Sequence, residues 1–145
     1  MDYVSAFNIS ASGMAVEKAR LDIMALNLAN ANSSRAENGE LYKPLRVITA
    51  PKSQSFENIL QNYSKNLPAG AEVIDIVPSQ INPRLVKDPG HPHADENGFV
   101  AYPNVNTVTE MISLIEATRA YEANVKALNA SKAMALRALE IGSQR

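Results

Sequence analysis

The residues best placed to do chemistry are His91, Pro92, His93, Asp95 and Glu96. Two imidazoles two positions apart in an extended loop can both reach one metal ion, and the nearby carboxylates could complete a ligand set or trade protons. Pro92 stiffens the backbone between the two rings. The chain holds 2 histidines in all, so no third imidazole can join them. The spacing therefore reads first as a structured polar turn. A metal-dependent enzyme using His91, His93 and Asp95 stands as the alternative. Other chemistries are poorly served. Cysteine is absent, which excludes thiolate metal sites and thiol catalysis. The 6 glycines are scattered, so no loop is built to cradle phosphate. No frame of the G-x-S-x-G kind organises serine, histidine and aspartate into a nucleophilic site. No catalytic residue, cofactor or metal is expected.

Charge and hydropathy narrow the partners. Lys plus Arg number 14 against 15 for Asp plus Glu, so there is no basic excess to steer the chain to nucleic acid. Tryptophan is absent and aromatics are sparse, which weakens any stacking platform for single strands. Met1 to Phe7 lacks the basic segment and apolar run of a cleavable secretory signal. No stretch approaches the roughly 20 apolar residues that span a bilayer, so direct membrane insertion is not expected.

Two long helices must frame the loop. Residues 2–32 place Phe7, Met14, Leu21 and Leu28 at every seventh position, with Val4, Ala11 and Ala25 beside them. A second stripe holds Ile9, Val16, Ala19, Ile23 and Leu26. The stripes are offset by two residues, about 200° around a helix of 3.6 residues per turn, so they lie on opposite sides. The second helix is expected over 107–141. Thr107 and Glu110 have the spacing of a capping box, and Gly142 stands where a left-handed C-terminal cap is wanted. One of its stripes is large (Met111, Leu114, Tyr121, Val125, Leu128, Leu139). The opposite one is small (Ala120, Ala123, Ala127, Ala130), which suits a close neighbour. Glu122 and Lys126 are spaced for an ion pair one turn apart. A helix that is apolar on two sides needs partners on both, and the chain has only one other long helix to offer. The spare faces are expected to meet other chains.

Prolines 44, 51, 68, 78, 83, 89 and 92 forbid long helices in the middle. Leu45–Ile48 and Glu72–Val77 could pair as an extended hairpin, and a short helix is expected over 56–63. From Asp88 to Asn106, Pro89-Gly90 and Asn97-Gly98 are turn pairs. Asp88, Asp95 and Asn104 are placed to bond nearby amides, and both glycines are candidates for positive φ. The expected fold is mainly α: an elongated coiled coil of the terminal helices with an irregular, β-containing middle. The segments are 1–34, 35–106 and 107–145, the first and last forming one domain.

Three segments carry a resemblance. Leu26-Asn27-Leu28-Ala29-Asn30-Ala31-Asn32-Ser33, following Ser10-Ala11-Ser12-Gly13-Met14, looks like the N-terminal signature of the bacterial flagellar rod and hook proteins. Arg119-Ala120-Tyr121-Glu122-Ala123-Asn124, with Lys132-Ala133-Met134 and Ala138 to Gly142, resembles that superfamily's C-terminal helix. The run from Asp88 to Asn106 is more specific and resembles the proximal rod subunits. The resemblance covers both helices and the second half of the middle, while Ala36 to Lys87 fits more loosely. One departure is Ser33-Ser34, where the family often has threonines; the hydroxyl is kept.

This resemblance implies a structural subunit of a hollow helical drive shaft that transmits torque and encloses an export channel, as part of the periplasm-spanning rod of the flagellar basal body. It implies partners in further copies of the chain, in other rod subunits and, during delivery without a cleaved signal, in the flagellar type III export apparatus. Apolar positions Phe7, Ile9, Met14, Val16, Leu21, Ile23 and Leu28, with Met111, Leu114, Tyr121, Ala123, Val125, Ala127, Leu128 and Leu139, are then expected at subunit interfaces. A different short rod protein and a coiled-coil adaptor outside any flagellum are the rival readings.

Overall fold

The computed structural model describes residues 3–34, 40–52 and 70–143. Helix α1 spans Tyr3–Asn30 and helix α2 spans Thr107–Ser143. Between them come strands β1 (Leu45–Pro51), β2 (Ala71–Pro78), β3 (Arg84–Lys87) and β4 (Phe99–Tyr102). This is a mainly α chain with a β middle, as the periodicity predicts. The short helix expected over 56–63 lies outside the described residues. No helix among the described residues is long and apolar enough to cross a membrane.

The helices pack antiparallel. Asn27, near the end of α1, meets Glu110 in the first turn of α2. At the other end Gly13 faces Asn124, whose side chain occupies the space a Cβ at position 13 would need. The gap between these points is lined by Glu17, Arg20 and Met24 from one helix and Ser113, Ala117 and Ala120 from the other. The same register carries Tyr3 to about the level of Met134. The last nine or so residues of α2 therefore run ~13 Å past the start of α1.

Two antiparallel hairpins fill the middle. β1 pairs with β2 from Leu45↔Pro78 to Pro51↔Ala71, with a register shift at Ile48/Thr49. β3 pairs with β4 from Arg84↔Tyr102 to Lys87↔Phe99. The first pairing is expected from its two β-capable runs. The second lies in what reads as irregular loop, because four-residue strands hold too few positions for a period to stand out.

The β1–β2 hairpin corrects one expectation. It lies along α1, with Leu45 beside Asn27, Thr49 beside Arg20, and Ala71 beside Ser12. Positions 12, 16, 20, 23 and 27 are three and four apart and share one helix face. Val16 and Ile23 on that face are 5% and 7% exposed. The middle of the second apolar stripe of α1, at Val16 and Ile23, is thus covered within the chain by an extended hairpin rather than by another helix, while Ile9 and Leu26 of the same stripe stay exposed.

Both ends of α2 differ from the capping expectation. Its N-cap is Asn106, whose Oδ1 accepts the amides of Val108 and Thr109, each at 3.1 Å. Asn is as good a cap as any, and Glu110 is released to reach Asn27 instead. At the far end, α2 continues through Gly142 to Ser143, and among the described residues the glycines with positive φ are Gly70 and Gly98. Gly142 stands in open space, without the packing contact that accompanies a left-handed cap. Glu122 and Lys126 both stay exposed. An ion pair forms on α1 instead, between Arg20 and Glu17 at 3.4 Å.

Candidate assembly surfaces

The loop between β3 and β4 is built by its own polar groups. Asp95 Oδ1 accepts the amides of Asn97 and Phe99 at 2.9 and 2.8 Å, and Asp88 Oδ1 accepts that of Gly90 at 3.3 Å. His91 Nδ1 accepts the amide of His93 at 3.1 Å, and His93 Nδ1 lies 2.8 Å from Ser34 Oγ. These bonds fold the loop and hang it from the turn that ends α1. Each Nδ1 is engaged in a turn or tether rather than aimed at a shared centre. No group of three or more metal-ligating side chains occurs among the described residues. Asn104 departs from its expected role: it donates to the Asn82 carbonyl at 3.2 Å. Of the two turn glycines, Gly98 has φ +78°, while Gly90 does not lie in the left-handed region.

The loop then delivers Val100 and Pro103, both fully buried, and passes into the Asn106 cap. The start of α2 is thereby held in place, and its outward face is presented to solvent. That face carries Val108, Met111, Ile112 and Ile115, 64%, 52%, 53% and 52% exposed. Their spacing of three, one and three places them on a single stripe two turns long. At the overhang Met134, Leu136, Leu139 and Ile141 are all more than half exposed, and positions two apart lie about 200° round the helix, so apolar side chains stand on both of its sides. Scattered exposed apolar residues need no explanation, but contiguous ones mark interaction sites.

The residues expected at subunit interfaces divide into three groups. Val16 and Ile23 are inside the chain. Phe7, Met14, Leu21, Leu28, Leu114, Tyr121, Val125 and Leu128 are half-buried. Ile9, Met111, Ala123, Ala127 and Leu139 are exposed. Val108, Ile112 and Ile115 stand outside the expected set, although their i, i+4, i+7 spacing from Val108 is there to be read.

A polar centre joins the elements where α1 ends and α2 begins. Asn27, 3% exposed, accepts Tyr42 O–H at 2.9 Å and Leu45 N–H at 2.8 Å, and donates to the Leu45 carbonyl at 3.0 Å. Its contact to Glu110 Oε2 is longer, 3.5 Å. Burial pushes the Tyr42 phenol above its ordinary value of 10.0, and the Glu110 carboxylate adds to the shift. Asn27 lies within the N-terminal signature of the sequence, but nothing in its spacing reveals this role.

Residues 96–141 match the model of the flagellar basal body rod FlgEFG protein C-terminal family. That stretch runs from the tip of the β3–β4 loop through almost all of α2. The protein is also 40% identical to the flagellar basal-body rod protein FlgC of Bacillus subtilis, across 94% of this chain and 96% of the relative. It is 35% identical to FlgC of Salmonella typhimurium, over 98% and 99% of the two chains. It is also 35% identical to FlgC of Borreliella burgdorferi, over 97% and 98%. With near-complete coverage in bacteria as distant as these, the chain belongs to the FlgC family of flagellar basal-body rod proteins.

Proposed function

We propose that the chain is a structural subunit of the proximal flagellar rod, where it assembles with other rod proteins into a hollow helical shaft that transmits torque and encloses an export path. The observation that carries this reading is the pair of unpartnered apolar surfaces on α2. A stripe at one end of the helix and an overhang at the other are different patches. Contacts between different patches are heterologous, and where the rotation does not close a ring they propagate as a helical filament. The family is a structural one, and the polar loop of His91 and His93 acts as a turn and tether, so no catalytic residue is assigned.

On this reading α1 and α2, residues 1–34 and 107–145, form one coiled-coil domain of the rod wall. The middle, 35–106, is its appended contact region. The exposed Ile9, Met111, Ala123, Ala127 and Leu139 meet neighbouring subunits, together with Val108, Ile112 and Ile115. The chain is delivered through the flagellar type III export apparatus, without a cleaved signal, into the periplasm-spanning part of the basal body. The test is motility in cells whose only copy carries Met111→Asp or Leu139→Asp. Both should make normally folded protein and abolish swimming. Swimming at the normal level with both changes combined would refute the assembly role of these surfaces.

A further inference from the structure

We infer that the β1–β2 hairpin is a strap whose two polar anchors, Asn27 and Ser12, decide which face of the helix pair is offered to a neighbouring subunit. This deepens the assembly reading above and rests on it. At one anchor the Asn27 carboxamide takes both backbone groups of Leu45, its N–H at 2.8 Å and its carbonyl at 3.0 Å. The side chain thus does for Leu45 what an adjacent strand would do. At the other anchor, Ser12 Oγ accepts the Ala71 amide at 3.1 Å while donating to the Ile9 carbonyl at 2.8 Å. The approach there is so close that a Cβ on Gly70 would collide with Ser12, and Gly70 also has φ +94°. Only glycine suits both conditions.

Between the anchors lie Val16 and Ile23, the buried apolar positions of that α1 face. With the strap down, α1 has α2 on one side and the hairpin on another. On the helix pair, the exposed apolar side chains at i, i+3, i+4 and i+7 then fall on α2, at Val108, Met111, Ile112 and Ile115, while the strap's own outward side carries Ile48, Ile74 and Ile76. With the strap released, the Val16–Ile23 face becomes a second docking surface of similar length, and subunits gain a wrong way to pair. The strap is therefore a specificity device, closing one face so that assembly uses the other.

The chain has no cysteine, so single engineered thiols report cleanly on each side of α1. Val16→Cys places one under the strap. Ala117→Cys places one between the helices, beside the gap it already lines. Thiol-labelling rates are measured on the full chain, alone and with Ser12→Ala, Asn27→Asp or Asn27→Ala added. Ser12→Ala is the mild variant, kept in case Asn27→Ala does not fold. Losing an anchor should speed labelling at position 16 by about tenfold, the scale of one or two net hydrogen bonds. Labelling at position 117 should stay within about twofold. Equal rates at position 16 with and without the anchors would overturn the inference. So would a parallel rise at position 117, since the anchors would then merely hold the whole fold. Rapid labelling at position 16 in the parent chain would overturn it as well, because the strap would not be closed. Failure of the assembly reading is separate: it would show as normal swimming with the α2 changes, whatever the labelling rates.

Discussion

The two long helices have similar composition and opposite fates. Each is apolar on more than one side. Yet α1 has the middle of its second face, Val16 and Ile23, covered by the chain's own hairpin, while α2 leaves its outward stripe bare. Val16 and Ile23 on α1 are 5% and 7% exposed; Ile112 and Ile115 on α2 are 53% and 52%. The difference lies in the segment that succeeds each helix. A chain leaving α1 at Asn30 returns as an extended hairpin and lies back along it. From Thr107 onward the described chain is α2 itself, with no hairpin to fold back on it. An inward face thereby serves folding, and an outward apolar face is left for the assembly role proposed above.

The sharpest way to break this contrast is Ile23→Asp. It places an unpaired charge beneath the hairpin and should cost about 3 kcal/mol or more of folding stability, read by chemical denaturation. A loss below about 1 kcal/mol would mean that the hairpin is not packed on α1. Next in size is Asn27→Ala, which orphans the Leu45 amide and the Tyr42 hydroxyl. It should make opening of the hairpin easier by about 1–3 kcal/mol, read by hydrogen exchange as deprotection of the Leu45 amide while amides between the helices keep their protection.

A smaller effect comes from Tyr42, which titrates above 10.0 in the folded chain because of burial and then Glu110. Below pH 10.0 the phenol is neutral in both states, and its contribution is fully present. As the pH rises further, the unfolded chain loses the proton first, so stability falls through the folded-state titration. Tyr42→Phe should remove that alkaline loss while itself costing about 1 kcal/mol at neutral pH. The measurement is denaturation at a series of pH values on both proteins. The same alkaline loss in the variant would assign it to another group.

The smallest effect on folding and the largest on assembly should come from α2. Ile112→Asp should leave stability within about 0.5 kcal/mol of the parent, yet abolish swimming. Ala127→Leu should behave alike, because an extra side chain at an exposed small position disturbs only a neighbour that packs there. Normal swimming with Ala127→Leu would mean that the exposed alanines reflect helix propensity alone.

Much of this is legible in the residues. Helical spacing locates α1 and α2 to within two residues, since 28 and 37 residues of periodic pattern leave little ambiguity. The turn chemistry of Asp88 and Asp95 is also readable, because their side chains act on amides two to four positions away, and so is Gly98, whose positive φ suits a turn. The cap of α2 sits one residue before its expected place. Asn106 and Thr107 are both competent caps, and the folded chain uses Asn106, with Glu110 turned to Asn27.

What sequence alone determined is therefore local: two helices, the strands that pair first, the polar turns, and the apolar faces that had to be covered by something. Only the tertiary structure decided what covers each one. It laid the hairpin along α1, made Asn27 the centre where strand, helix and Tyr42 meet, and left α2 longer than its partner. Those choices join Asn27 to Leu45 and Glu110, and Ser12 to Ala71, across 18, 83 and 59 positions of chain. Helical and strand periods describe the faces of one element. They carry no term for which distant backbone will come to lie against them, and that is settled by the joint packing of the whole chain.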